Sequence, residues 1–350
     1  SPTQPAGSYV GKVRYTMVHP NDAAAPLARI TLSDAYEKTG KTKVTVGSSS
    51  YYKLQDMTPE ICNMTEVLDE PGQTQLLDIR DNKVYWATKL QDGHCWMTQN
   101  LDLDLSISAA LTNETSDLNT VASWTPVNNT VDATSGAISG YTDNNNVPNS
   151  VNPGDWYWKN EPFYSSLICD THRGCDYLIK SDATYANYFS QTPYAINGTH
   201  GHVGNYYNWS AAVASNDTSN YASDTSTNIV NNPQNSICPK NWRLPTVSNE
   251  DPSMDGSTNE FGRLSYLYDS NYTTDDFDKG LVTAPLYFIR SGAINAVSAL
   301  HYAGATGFYW SSSVESNARV YISVFNSYNY TDKVAPLNRI YGIPVRCIAR

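Results

Sequence analysis

Apolar and polar positions alternate with different periods along the chain. Tyr9, Val13, Tyr15 and Met17 fall on one side of an extended segment, and Lys12, Arg14 and Thr16 fall on the other. That spacing predicts a strand over residues 8–18, behind the turn signal Pro5-Ala6-Gly7. Residues 20–26 form a Pro- and Ala-rich linker. Leu32, Ala35 and Tyr36 make a stripe that predicts a short helix within Ile30 to Thr39, capped by Ser33 and ended by Gly40. Val44 and Val46 alternate as in a strand, and Tyr51 to Leu54 reads as another. Leu76 to Leu90 predicts two short strands around a turn at Asp81-Asn82, with Trp86, Trp96 and Met97 as core candidates.

Two blocks further on concentrate aromatic mass. Gly204 to Ala212 reads as a short strand or turn, and Cys238 to Thr246 as an extended entry with Trp242 and Leu244 facing a core. Pro245 ends that entry, because proline lacks the N–H a ladder needs. Phe261, Leu264 and Leu267 recur at three-residue steps and predict a helix. Tyr309-Trp310, Val320-Tyr321-Ile322 and Val345 to Ile348 read as closing strands, with Arg319 to Val324 alternating as a half-buried strand does.

Between these elements the composition shifts. From Ser106 to about Pro153 the chain is rich in Asn, Ser, Thr, Asp and Gly, which predicts a long irregular surface insertion with Trp124 as its anchor. Asp155-Trp156-Tyr157-Trp158 then restores aromatic density. The organisation expected is an N-terminal strand over residues 1–22, a small helix and hairpin region over 23–60, and a main domain over 61–350 with the insertion at about 106–153. The chain of 350 residues is long enough to bury a substantial core.

Only 16% of residues are charged, while Tyr numbers 26, a balance that suits an exported β-rich protein with long polar loops. The formal net charge of -11 repels nucleic acid and anionic membranes, so neither is expected as a partner. No run is long and apolar enough to span a bilayer, and no signal-peptide pattern is visible; an export signal would precede Ser1. Six cysteines without a CxxC pair (Cys62, Cys95, Cys169, Cys175, Cys238 and Cys347) read as three disulfides, with free buried thiols as the alternative. Spacing alone leaves ~15 connectivities open.

Five runs, in order, resemble the FISUMP family (Fibrobacter succinogenes major paralogous domain). They are Trp96-Met97-Thr98-Gln99-Asn100-Leu101, Tyr206-Tyr207-Asn208-Trp209, Cys238-Pro239-Lys240-Asn241-Trp242-Arg243-Leu244-Pro245-Thr246, Phe308-Tyr309-Trp310-Ser311-Ser312-Ser313 and Val345-Arg346-Cys347-Ile348. The resemblance covers about residues 75–350. It implies an α+β, C-type-lectin-like fold in an exported bacterial protein, usually without an assigned enzymatic activity. It also implies a Cys238–Cys347 bridge; Cys169 with Cys175 would then close a small loop and leave Cys62 with Cys95.

Sugar-binding members of that fold often hold calcium through Glu-Pro-Asn or Gln-Pro-Asp and Trp-Asn-Asp triplets, and none occurs here. Oxygen-rich stretches at Asn249, Glu250, Asp251 and Asp255, and at Asp269, Asn271, Asp275, Asp276 and Asp278, keep calcium open as a cofactor; solvated acidic loops are the plainer reading. His200 and His202 could begin a metal site but lack a third ligand. Ser311-Ser312-Ser313 has no Gly-x-Ser-x-Gly context, and no histidine is paired with a nucleophile, so no catalytic residue is assigned. Trp124, Trp156, Tyr157 and Trp158 are the candidates for stacking on a sugar, with core packing as the alternative.

These readings combine into an extracellular or cell-surface protein, structural or adhesive and non-enzymatic. Tyr9, Val13, Tyr15 and Met17 are its candidate subunit contacts, if the N-terminal strand adds to a sheet edge of an identical subunit and builds a pilus-like filament. The plainer alternative packs that strand on its own domain. A glycan or protein of a host or partner cell is the expected external partner, and a glycan-binding lectin is the second reading.

Overall fold

A computed structural model of the chain describes residues 29–67, 73–103, 112–117, 206–214, 235–254, 256–268 and most of 281–350, together with two short strands inside 131–159. The first element is a helix, α1 (Leu32–Lys38). Its cap is Thr31 rather than the expected Ser33: the Thr31 side chain accepts from Asp34 N, and Asp34 accepts from Thr31 N. This reciprocal box satisfies two backbone donors that the first turn would otherwise leave open. The stripe Leu32, Ala35 and Tyr36 is buried as its spacing predicts, and Gly40 follows at φ +72°.

Strands β1 (Val44–Val46), β2 (Ser49–Lys53), β3 (Thr74–Asp78), β4 (Lys83–Lys89) and β5 (Cys95–Met97) follow, with a second helix, α2 (Pro59–Met64), between β2 and β3. Thr58 caps α2 and Pro59 opens it, where a missing N–H costs nothing. Next along the chain come β6 (Val131–Asp132), β7 (Tyr157–Lys159), β8 (Tyr206–Tyr207), α3 (Trp209–Ala212), β9 (Trp242–Arg243) and α4 (Glu260–Tyr268). The chain continues through β10 (Ala293–Ile294), β11 (Leu300–His301), β12 (Thr306–Val314), β13 (Arg319–Asn326), β14 (Val334–Asn338) and β15 (Ile348–Ala349).

The mixture of sheet with a few short helices is an α+β architecture. Its main sheet has seven strands in the order β1-β2-β3-β4-β5-β15-β9. All pairs are antiparallel except β2 with β3, which is parallel with Tyr52 opposite Leu76. The described part of the small region expected over residues 23–60 is therefore built into the same sheet as the main domain. A three-stranded sheet β12-β13-β14, a β10-β11 hairpin and a β6-β7-β8 sheet complete the described strands.

The sheet centre is buried on both faces. Cys95, Met97, Cys347 and Ala349 pack into one cluster with α1, Trp242 and Trp310, while Trp96 and Ile348 pack into another with Phe261, Leu264, Tyr309 and Phe325. Alternation along β5 and β15 explains the division, since successive side chains point to opposite faces. Toward β2, β3 and β4 one face is fully covered and the other only in part, where Leu77 is buried but its neighbours are not. Tyr52, Leu76 and Tyr85 are buried on the fully covered face, whereas Tyr51, Gln75 and Trp86 lie on the opposite face. Trp86, expected in the core, is only half-buried. Its inward-facing neighbours Tyr85 and Ala87 take the core positions instead.

Two disulfides lie among the described residues, Cys62–Cys95 and Cys238–Cys347. Both pairings agree with those expected. Cys169 and Cys175 lie outside the described residues.

Candidate functional site

The five motif runs meet in one buried centre. Trp96 pairs with Ile348 across β5 and β15, and Met97 N donates to Cys347 O at 3.0 Å. The Cys238–Cys347 bridge ties the third run to the fifth. Trp310 Nε1 donates to Tyr207 O at 2.6 Å, and Trp209 Nε1 donates to Ser311 O at 3.0 Å, which locks the second and fourth runs together. Trp242 Nε1 donates to Leu54 O at 2.8 Å. A buried indole N–H needs an acceptor, and here backbone carbonyls supply it.

Arg346 sits at the middle of this arrangement and is 1% exposed. Its guanidinium reaches Asn100 Oδ1 and the Leu286 and Tyr287 carbonyls, and lies 4.1 Å from the centre of the Phe288 ring. A second arginine, Arg339, stacks on Trp209 at 4.4 Å. These motif side chains thus spend their polar groups on buried partners, some in other runs and some in the segments packed beside them.

The other polar groups singled out in the sequence are also committed locally. Ser311 Oγ donates to Tyr321 O at 2.5 Å, Ser312 Oγ donates to Pro245 O at 3.3 Å, and Ser313 Oγ accepts from Val247 N at 3.0 Å. Each hydroxyl is thus held by the backbone of a segment packed beside β12. His94 Nδ1 lies 3.3 Å from Asp92 Oδ2, a hydrogen bond that raises its pKa, and that same oxygen accepts from Trp96 Nε1. Glu250 and Asp251 accept from Thr258 N and Ser253 N of their own loop, which lowers the pKa of each. Among the described residues no group of three or more His, Cys, Asp or Glu is placed to hold a metal ion.

The sequence-predicted binding residues are only partly placed. Trp158 pairs with Tyr206 and Tyr157 with Tyr207, so the β7 backbone sits beside the motif centre. Trp124, Trp156 and the side chains of Tyr157 and Trp158 lie outside the described residues, as do Tyr9, Val13, Tyr15, Met17, His200, His202 and the acidic stretch 269–278.

One group missed by sequence reasoning stands out electrostatically. The Asp81 side chain is 2% exposed; Oδ1 accepts from Lys83 N, and Oδ2 has no hydrogen-bond partner among the described residues. Burial and then the neighbouring Asp78 push its pKa up to about 7. Lys83 Nζ offsets little of this, standing 3.9 Å from Asp81 but 2.8 Å from Asp102. Asp78 itself is bound to Arg80 at 2.6 Å, with both side chains fully buried.

Among the described residues a concavity lies on the partly covered face of β2, β3 and β4. Gln75 and Trp86 are direct cross-strand partners, and Tyr51 stands one step back along the parallel register from Tyr52 and Leu76. The three residues form a row over three adjacent strands, aromatic, amide, aromatic. The concavity, of about 350 Å³, is lined by this row, by Ser33 and Ser50, and by Lys43. Gln73 walls one side: its Oε1 accepts from Thr98 Oγ1 and its Nε2 donates to Pro285 O. The period-two pattern of β4 was the available signal, since it places Trp86 opposite to Tyr85.

Comparison of the chain with known family models, with curated proteins and with solved structures finds no match.

Proposed function

We propose that this chain is an exported bacterial surface domain of the C-type-lectin-like, FISUMP kind, with a structural or adhesive role and no catalytic one. One observation carries the reading. The five runs that resemble that family interlock in a single buried centre crossed by the Cys238–Cys347 bridge. Residues spent in this way specify a stable frame and leave function to the surface around it. Disulfides favour an oxidising compartment, which fits an extracellular or cell-surface location. Among the described residues no helix is long and apolar enough to cross a membrane.

The filament version of this reading uses the alternating segment 8–18 as a strand donated to a neighbouring subunit. Negative-stain imaging with size analysis tests it, comparing the full chain with one lacking residues 1–20. Ordered fibres from the full chain alone support donor-strand assembly. Monomers from both reject it and leave a monomeric surface domain.

A second reading, glycan binding through exposed aromatic residues, is favoured by the half-buried rings of Tyr51 and Trp86 on a partly covered sheet face.

A further inference from the structure

We propose that the row Tyr51, Gln75 and Trp86 is a binding platform for a linear neutral oligosaccharide, an inference that takes its ligand class from the glycan-binding reading but assigns a different site. Neighbouring strands lie ~4.8 Å apart, so side chains on β2 and β4 stand ~10 Å apart with the β3 residue between them. Two rings at that separation offer stacking surfaces to two sugar units of one chain. The amide between them is placed to meet hydroxyl groups.

The donors support this ligand. Among the described residues the Trp86 indole N–H, the Gln75 amide and the Tyr51 hydroxyl have no hydrogen-bond partner. Every other tryptophan whose side chain the structure describes gives its N–H to an acceptor within the chain. Trp86 therefore departs from the pattern set by Trp96, Trp209, Trp242 and Trp310. Its ring presents an apolar surface with a free donor at the rim, the combination that sugar faces and hydroxyls satisfy together.

Charge argues for a neutral ligand. Among the described residues Lys43 is the one charged residue lining the concavity, and its Nζ already lies 5.0 Å from the centre of the Tyr52 ring. An anionic ligand would meet one committed cation on a chain of net charge -11. The volume of about 350 Å³ lies in the range of small-ligand sites.

The test titrates the full-length protein with hexasaccharides of β-1,4-linked glucose, β-1,4-linked N-acetylglucosamine, β-1,4-linked mannose and α-1,4-linked glucose, followed by calorimetry and tryptophan fluorescence. Tyr51→Ala, Gln75→Ala, Trp86→Ala and Trp158→Ala are titrated in parallel, with melting curves to report folding. Gln75 is exposed, so its variant keeps the test open if an aromatic variant unfolds. The expected result is binding of at least one probe, weakened about 10-fold or more by Trp86→Ala and Tyr51→Ala, weakened less by Gln75→Ala, and unchanged by Trp158→Ala. Binding that survives Trp86→Ala and Gln75→Ala but is lost in Trp158→Ala overturns this site while sparing the glycan reading. No binding of any probe overturns both.

Discussion

Arg346 and Asn100 are joined by two hydrogen bonds, Nε and Nη2 donating to Oδ1 at 3.2 and 2.8 Å, across 246 residues of chain. The guanidinium has no carboxylate partner among these contacts. Its charge rests on an amide oxygen, two carbonyls and the faces of Phe288 and Tyr309. Arg346→Met would strip these acceptors of their donors, and buried unpaired acceptors cost roughly 1–3 kcal/mol each. The expected loss is about 3–5 kcal/mol, read as a lowered urea midpoint, with Arg346→Lys in between because an ammonium cannot reproduce the planar fork. A midpoint unchanged in Arg346→Met would show that the network contributes nothing net.

Gly307 faces Phe325 directly across β12 and β13, and a Cβ there would stand 2.1 Å from the ring. The ring cannot swing away freely, because it is stacked on Tyr309 at 5.9 Å and edge-on to Phe288 at 6.0 Å. Gly307→Ala should cost about 1–3 kcal/mol through overpacking. Gly307→Ala combined with Phe325→Leu should cost less than the sum of the two single changes, and thermal melts of the three variants measure the difference. Simple additivity would disprove the clash.

The Asp81 pKa, pushed up to about 7, gives stability a pH dependence. The folded state holds this proton more tightly than the unfolded chain does, so the resulting stability is complete below about pH 4 and is lost as the pH rises through about 7. Asp117, raised by burial to about 6 against the pull of Arg350, acts in the same direction. Asp81→Asn should gain on the order of 3 kcal/mol relative to the parent at about pH 8 and little at about pH 4. Denaturation midpoints at the two pH values report it; a difference independent of pH would exclude Asp81 as the source.

Reduction should separate the two bridges. Their sequence separations are 33 and 109 residues. Chain-entropy reasoning gives about 4 kcal/mol for the shorter loop and about 5 kcal/mol for the longer. Paired serine variants at Cys62/Cys95 and at Cys238/Cys347 should therefore both melt lower, the second pair more so. Equal melting of the second pair and the parent would exclude a structural role for that bridge.

Local pattern made much of the frame legible. The stripe Leu32, Ala35 and Tyr36 marked α1, and Asp81-Asn82 marked the turn between β3 and β4, where Asn82 adopts φ +59°. The cap shifted to Thr31 because Asp34 completes a reciprocal box with it. β14 escaped notice because Pro336 breaks its strand signal, although its N–H is dispensable at a sheet edge. The row of Tyr51, Gln75 and Trp86 was legible only at Trp86, through the period of β4. It depends on a parallel register between β2 and β3, set by tertiary packing that no short stretch encodes. Tryptophan is usually buried, so residue type alone points Trp86 inward.

The place of β15 between β5 and β9 has a consequence for how the molecule is made. Until Ile348 slots beside Trp96 and Arg243, the sheet exists as two separate pieces with raw inner edges. Closure needs contacts between distant parts of the chain, which form slowly. A nascent chain therefore keeps these edges open until Ile348 has been made, and it is exposed to aggregation until then. A chaperone that shields strand edges would be needed most in that interval.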